Sequence, residues 1–208
     1  LLRLVFVYGC FDKNILLLGT SKIWYDLIKS YYSLVEYNKL AIGGKIMGIR
    51  LAKIDDEEKI SILIAQFRVE LRQLKGIKSI PKIDQAKEEF REYIEAKYPI
   101  FVAENGNELL GYLVCRIDGG IVWAESIFVS NSARRSGIAS KLYEEAENIA
   151  RELGGTTVFN WVHPNNDKMI SFLSKMGYNV LNLIEIRKPW ENEVLTQKIC
   201  VGNHKYNY

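Results

Sequence analysis

The segment Ile121-Val122-Trp123-Ala124-Glu125-Ser126-Ile127-Phe128-Val129 narrows the folds open to this chain more than any other. Its two alternating faces are both apolar, the pattern of a central strand covered on both sides. A polar loop follows. Gly137 then opens a helix expected to run to Leu153, with Ile138, Leu142, Ala146, Ile149 and Leu153 on its buried face. Gly154 and Gly155 supply its C-terminal cap. A strand that is apolar on both faces needs helices over both, so the expected class is α/β.

The flanking elements fit that class. Gly48 to Lys53 suits a short strand, and Asp55 is placed to cap a helix with Glu58 three positions on. Ile60, Leu63, Ile64, Phe67, Leu71 and Leu74 recur at helical spacing, and Gly76 ends that helix. A second helix is predicted from Asp84 through Phe90, Tyr93 and Ile94, stopping before Pro99. Strands are predicted at Ile100 to Ala103 and Leu109 to Ile117, joined through Asn105-Gly106, with Asp118-Gly119-Gly120 turning into the central strand. After the long helix the pattern predicts a strand over Thr156 to Val162, a helix over Asp167 to Met176 and a strand over Tyr178 to Arg187. A further edge strand is expected within residues 193–201.

Composition excludes several classes. With 208 residues, 48% hydrophobic and 25% charged, the chain has the makeup of a soluble globular protein with one core. The three cysteines, Cys10, Cys115 and Cys200, are far apart and there are only two histidines. Neither a zinc site nor a disulfide framework is expected, and a reducing, cytoplasmic setting fits. No apolar run approaches a membrane span. Residues 1–46 hold six Lys/Arg against three Asp/Glu, which accounts for the whole net charge of +3. The remainder is neutral, so no nucleic-acid partner is expected.

Residues 1–46 show no sustained period and no secretory signal pattern. Ile42-Gly43-Gly44-Lys45-Ile46-Met47 back-translates to a purine-rich ribosome-binding site ahead of a start codon. We therefore expect a translated leader over 1–46 and the domain over 47–208, the rival being a genuine extension packed on the domain.

Two features carry chemistry. The first is Arg134-Arg135-Ser136-Gly137-Ile138-Ala139, a loop between a buried strand and a helix. Free N–H groups at a helix start, the helix dipole, a glycine permitting close approach and two arginines make an anion site. A solvated turn before an ordinary helix is the alternative. The second is Glu125, a carboxylate in an apolar strand. Such a group is costly unless it is paired or set in a functional cleft, where burial moves a carboxyl toward the behaviour of a base at neutral pH. The alternative is a structural ion pair with a neighbouring Arg or Lys.

Arg134, Gly137 and Ala139 match the Q/R-x-x-G-x-G/A signature of the GNAT superfamily, and the order of elements over most of residues 47–187 resembles that family. The resemblance implies a mixed, largely antiparallel sheet flanked by helices on both faces, with a V-shaped opening, and acetyl-CoA as acetyl donor. It implies that the amides of Arg135, Ser136, Gly137, Ile138 and Ala139 hold pyrophosphate, and that Phe128 and Val129 bond the pantetheine arm. Asn166 to Tyr178 resembles the family's later segment, so Asn166 is a further cofactor contact. Glu125 stands where the family often has the acid that deprotonates the amine. The family's frequent tyrosine, which protonates the leaving thiolate, is replaced by Leu173. Tyr178, Tyr143 and His163 are the other candidate acids.

The implied reaction is acetyl transfer to a small-molecule amine, or to an amine of a peptide or protein. The acceptor site is expected from Gln66 to Ile83. Transfer of another acyl group, or CoA binding without transfer, are the alternatives, and a homodimer is left open. Cys115, Trp123 and Trp161 are read as core or groove wall.

Overall fold

In a computed structural model of the chain, residues 38–42 and 45–208 are described, with side chains from Gly48 onward. The chain divides into two compact units, the first ending at Ser171 and the second covering Phe172–Tyr208. The leader expected over residues 1–46 lies largely outside the described residues. The part inside them is Asn38–Ile42, which forms strand β1, and Lys45 and Ile46, which open β2 (Lys45–Leu51); the two strands pair antiparallel, Leu40 opposite Met47.

The first unit is built on a six-stranded sheet in the order β1-β2-β3-β4-β5-β6, with β3 at Ile100–Asn105, β4 at Glu108–Asp118, β5 at Ile121–Val129 and β6 at Phe159–Asn160. Every pairing is antiparallel except the last, β5 with β6. Helices α1 (Glu57–Gln73) and α2 (Ile83–Glu95) form one apolar cluster with Ile100, Val102, Tyr112, Val114 and Phe128. Helix α3 (Ile138–Glu152) buries Ile138, Leu142, Ala146 and Ile149. The period-2 alternation of β4 serves two layers: Tyr112 and Val114 join the α1–α2 cluster, while Leu113 and Cys115 are buried on the opposite side. There burial, aided by Glu145 of α3, pushes the Cys115 thiol up. Gly111 is required on β4, since a Cβ would meet the Phe128 carbonyl oxygen at 2.8 Å.

The start of α1 falls one residue later than expected. A 3-10 turn, Ile54–Asp56, intervenes, and Asp56 rather than Asp55 accepts a hydrogen bond from Lys53 N–H at 2.7 Å. Asp56 is also held by two Arg50 nitrogens at 2.6 and 2.9 Å, and Arg50 Nε bonds Glu104 at 2.6 Å. Burial pushes the Asp56 carboxyl up, but Arg50 and the Lys53 amide outweigh it and hold the group below its ordinary range. One arginine thus ties β2, the entry to α1 and β3 together.

Two strands depart from expectation. The element expected over Thr156 to Val162 is only two residues long as β6. It touches β5 at Trp123–Phe159 and Ala124–Asn160 alone, so from Glu125 onward that edge of β5 has no strand beside it among the described residues. The chain beyond β6 is committed elsewhere: Trp161 lies against Trp123, ring centroids 4.9 Å apart and tilted at 43°, and Asn165 Nδ2 donates to the Leu74 carbonyl at 3.0 Å.

The second departure lies in the other unit. Helix α4 (Asp167–Lys175) crosses the boundary at Ser171, and Tyr178 N–H closes its end on the Leu173 carbonyl. Residues 178–187 form no strand, and Val180, Leu181, Leu183 and Ile186 are 62–85% exposed. The strand expected within 193–201 is β7 (Lys198–Val201), paired with β8 (His204–Asn207) in a two-stranded sheet of its own. Among the described residues no helix is long and apolar enough to cross a membrane.

Candidate functional site

The site is organised by an irregularity in β5. Opposite β4, Val114 pairs with Ser126 and Cys115 with Ala124, which leaves Glu125 as the extra residue of a β-bulge. The bulge brings Glu125 to the side chains of the α1–α2 face, where Arg116 Nε donates to its Oε2 at 3.0 Å. The Glu125 side chain remains 28% exposed, so the doubly buried strand expected from the sequence is covered only in part at this point. The Arg116 guanidinium lies 4.9 Å from the ring centroids of both Trp123 and Trp161, which are themselves 4.9 Å apart and inclined at 43°, so the three groups form a triangle.

The loop after β5 has the form of an anion cradle. Arg135 and Gly137 both adopt positive φ, 61° and 83°, a conformation that turns successive amides toward a shared concavity. Gly137 is the N-terminal cap of α3 and offers no side-chain cap, so the first amides of the helix are uncovered. Among the described residues, the N–H groups of Arg135, Ser136, Gly137, Ile138 and Ala139 meet no protein acceptor. A Cβ built at Gly137 would meet nothing within 4 Å, so the space over it is open. Ser136 Oγ donates to the Ala133 carbonyl at 2.5 Å and fixes the turn.

The two arginines divide their work. Arg134 is folded inward: Nε donates to the Val129 carbonyl at 2.9 Å, a terminal nitrogen pairs with Glu70 at 2.8 Å, and the guanidinium lies 5.2 Å from the Phe128 ring centroid. Arg135 is exposed and pairs with no described group. Arg134 therefore locks the end of β5 to α1, and Arg135 leaves its charge beside the amides.

Backbone alternation decides what the end of β5 can offer. Ser130 N–H donates to the Leu110 carbonyl at 2.8 Å, so Phe128, two residues earlier, directs its peptide groups to β4 as well. Val129 faces the other way, toward the edge without a strand. With its carbonyl taken by Arg134, the Val129 N–H is the group left at the opening. Phe128 contributes its ring, 6.1 Å from that of Phe67.

Asn166 caps α4, its Oδ1 accepting from Met169 N–H at 3.2 Å. Tyr143 is buried on α3, with its hydroxyl joined to Asn160 of β6 at 3.0 and 2.7 Å. Burial, and then Lys75, hold the His163 imidazole below its ordinary value, which disfavours the protonated form an acid needs. Leu173 is buried.

A pocket of about 450 Å³ has Glu125 in its wall together with Arg68 of α1 and Gln85, Glu88, Glu89 and Glu92 of α2. Arg68 is neutralised by Glu89 in a two-point pair at 2.6 and 2.7 Å, and Glu89 also accepts from the Tyr93 hydroxyl at 2.6 Å. The unpaired sign at this wall is negative. Sequence reasoning looked for it between Gln66 and Ile83 and missed the glutamates one helix further on. It also missed Arg116, although a lone arginine in the apolar run of β4 was the available signal.

The sequence model of the acetyltransferase (GNAT) family matches residues 71–178, more than half of the chain. An N-acetyltransferase from Staphylococcus aureus Mu50 is 25% identical, with a TM-score of 0.51 over 63% of this chain and 82% of that one. AAC(6')-Iy in complex with the bisubstrate analogue CoA-S-monomethyl-acetylneamine is 21% identical, at TM-score 0.52 over 69% and 99%. The aminoglycoside acetyltransferase meta-AAC0020, from an uncultured soil metagenomic sample and in complex with sisomicin, is 17% identical at TM-score 0.52 over 70% and 97%.

Proposed function

The chain belongs to the acetyltransferase (GNAT) family, and from that premise we propose that it transfers an acetyl group from acetyl-CoA to a primary amine by direct attack. The carrying observation is the row of uncovered amides around the left-handed Gly137 at the start of α3, beside the edge of β5 that no strand covers. Donors fixed in place before a ligand arrives, at the positive end of a helix, suit a pyrophosphate. Acetyl-CoA brings the activated acyl group. The amides from Arg135 to Ala139 hold its phosphates, with Arg135 adding charge, and Asn166 is a further contact to the arm.

The protein's own part is positioning and proton handling. Glu125 takes the proton from the acceptor ammonium, which lies in the pocket walled by Glu88, Glu89 and Glu92. The Val129 N–H donates to the thioester carbonyl oxygen, where negative charge develops. The acidic wall favours a cationic acceptor, and once Glu125 has taken its proton the neutral amine attacks the acetyl carbon; the C–S bond breaks and CoA leaves as a thiolate that takes its proton from solvent.

Gly137→Glu tests the cradle, since it places bulk and negative charge among the amides. Acetyl-CoA affinity should fall beyond measurement while the native chain is stabilised against heat by the ligand; unchanged affinity removes the assignment. CoA release with neamine, sisomicin, spermidine and a peptide with a free N-terminus tests the transfer. Binding of acetyl-CoA with no release from any of the four leaves a CoA-binding module, a reading favoured by Leu173 in place of the family's frequent tyrosine.

A further inference from the structure

Glu125 is held in a way that its role as a base does not require. A carboxylate has two oxygens; here Oε2 accepts from Arg116 Nε at 3.0 Å, and Glu125 also borders the acceptor pocket. Arg116 sits on β4 opposite Trp123, and its guanidinium packs 4.9 Å from both the Trp123 and Trp161 centroids, which lie 4.9 Å from each other. Trp161 follows β6, so this cluster of a guanidinium against two touching indoles joins β4, β5 and the segment beyond β6. It does so beside Glu125, where β5 and β6 cease to be paired.

Three details set this cluster apart from an ordinary surface ion pair. Trp161 is 50% exposed, an unusual position for an indole whose only service is to fill a core. Arg116 Nη2 is buried and has no hydrogen-bond partner among the described residues, so contact with the two rings, together with the Glu125 acceptor at Nε, holds the guanidinium. The second acid near it, Asp118, is 78% exposed at its side chain and lies 3.6 Å from Nη1. A rigidly held donor thus meets one oxygen of a carboxylate that the bulge has pushed into the pocket.

We propose that Arg116, packed against Trp123 and Trp161, is a positioning residue for Glu125: it binds Oε2 and leaves Oε1 for the acceptor ammonium. The inference rests on the reading of Glu125 as the base. Its physical content is that an arginine has a fork of fixed geometry and, when packed against aromatic rings, reduced freedom to turn, whereas a lysine in the same place is a mobile point charge. Other charged groups around Glu125 are Arg68 on α1 and Glu88, Glu89 and Glu92 on α2, with Tyr98 ahead of β3 close enough to feel both Arg116 and Glu125. Arg68 is already neutralised by Glu89, which leaves Arg116 as the cation bonded to the carboxylate.

The experiment is a double-mutant cycle on the full chain, using Arg116→Met, Glu125→Gln and the pair. The acceptor is the fastest of neamine, sisomicin, spermidine and the free peptide N-terminus. Glu125→Gln should lower turnover on the order of a hundredfold, with acetyl-CoA affinity retained. Arg116→Met should lower turnover about tenfold or more, again with acetyl-CoA affinity retained. The double variant should be no slower than Glu125→Gln, because a residue that acts through Glu125 has nothing left to position. Arg116→Lys should recover only part of the turnover, since it restores the charge but not the fixed fork.

Full additivity of the two losses, with Glu125→Gln itself slow, overturns the positioning role and leaves the base in place. Wild-type turnover in Glu125→Gln over pH 6 to 9 removes the base and this inference together, as does CoA release from none of the four acceptors. If Arg116→Met does not fold, Arg116→Lys and Trp161→Leu carry the same cycle. A loss in both that adds in full to that of Glu125→Gln again overturns the proposal.

Discussion

Residues 121–129 and 178–187 are both apolar segments that read as strands, yet only the first is one. Ile121–Val129 pairs along its length with β4, begins a ladder with β6 and lies between helices, so its peptide groups and side chains are both accommodated. Residues 178–187 have no strand beside them, and Val180, Leu181, Leu183 and Ile186 stand exposed. A run of branched apolar residues is therefore a capacity for pairing, realised only where a second strand and a covering face exist. The strand that is most fully partnered at one edge is also the one left open at the other, and the candidate chemistry gathers at that opening.

The contrast can be broken by mutation and denaturant unfolding. The largest expected effect is at Phe128, 5% exposed and packed on Phe67: Phe128→Ala should cost about 3–5 kcal/mol. A cost under about 1 kcal/mol would show that β5 is not the packed element described. Asp56→Asn comes next, at about 2–3 kcal/mol, since it weakens the Arg50 fork that joins β2, α1 and β3. Asp56 titrates below its unfolded value, so its contribution is present above about pH 4 and is lost as pH falls through the folded value. The gap between Asp56→Asn and the native chain should accordingly close on acidification; a gap that widens would reverse the sign of the interaction. The smallest effect belongs to the other segment. Leu183→Ser, at a position 62% exposed, should change stability by less than about 0.5 kcal/mol. A cost comparable with that of Phe128→Ala would mean that residues 178–187 are packed in solution and the comparison fails.

Much of the site could be read ahead of the fold because its parts are local. The cradle needs a strand, a glycine and a helix start within a few residues, and all three are adjacent in sequence; Gly137 stands at the helix start as read, and the structure adds that it caps α3 with positive φ. Glu125 was legible by contrast, as a charge in an apolar run. The direction taken by Arg134 was not legible. Its partners are the Val129 carbonyl and Glu70, and Glu70 is reached only because α1 packs over the end of β5. The same holds for the wall of glutamates on α2, whose sequence alone reads as an ordinary solvated face.

By itself the sequence determined the α/β class, the order of most elements, a hairpin turn after β3 (on Gly106-Asn107, one residue later than read) and the strand–loop–helix frame of the cradle, because each depends on backbone preferences and periodicities over a few residues. Tertiary structure alone decided that a bulge would bring Glu125 to Arg116, that Trp161 would close on that arginine, and that β6 would stop after Asn160. It also decided that residues 178–187 would stay outside any sheet. These outcomes turn on register and on contacts between segments distant in the chain, where one residue of slippage changes which side chains meet.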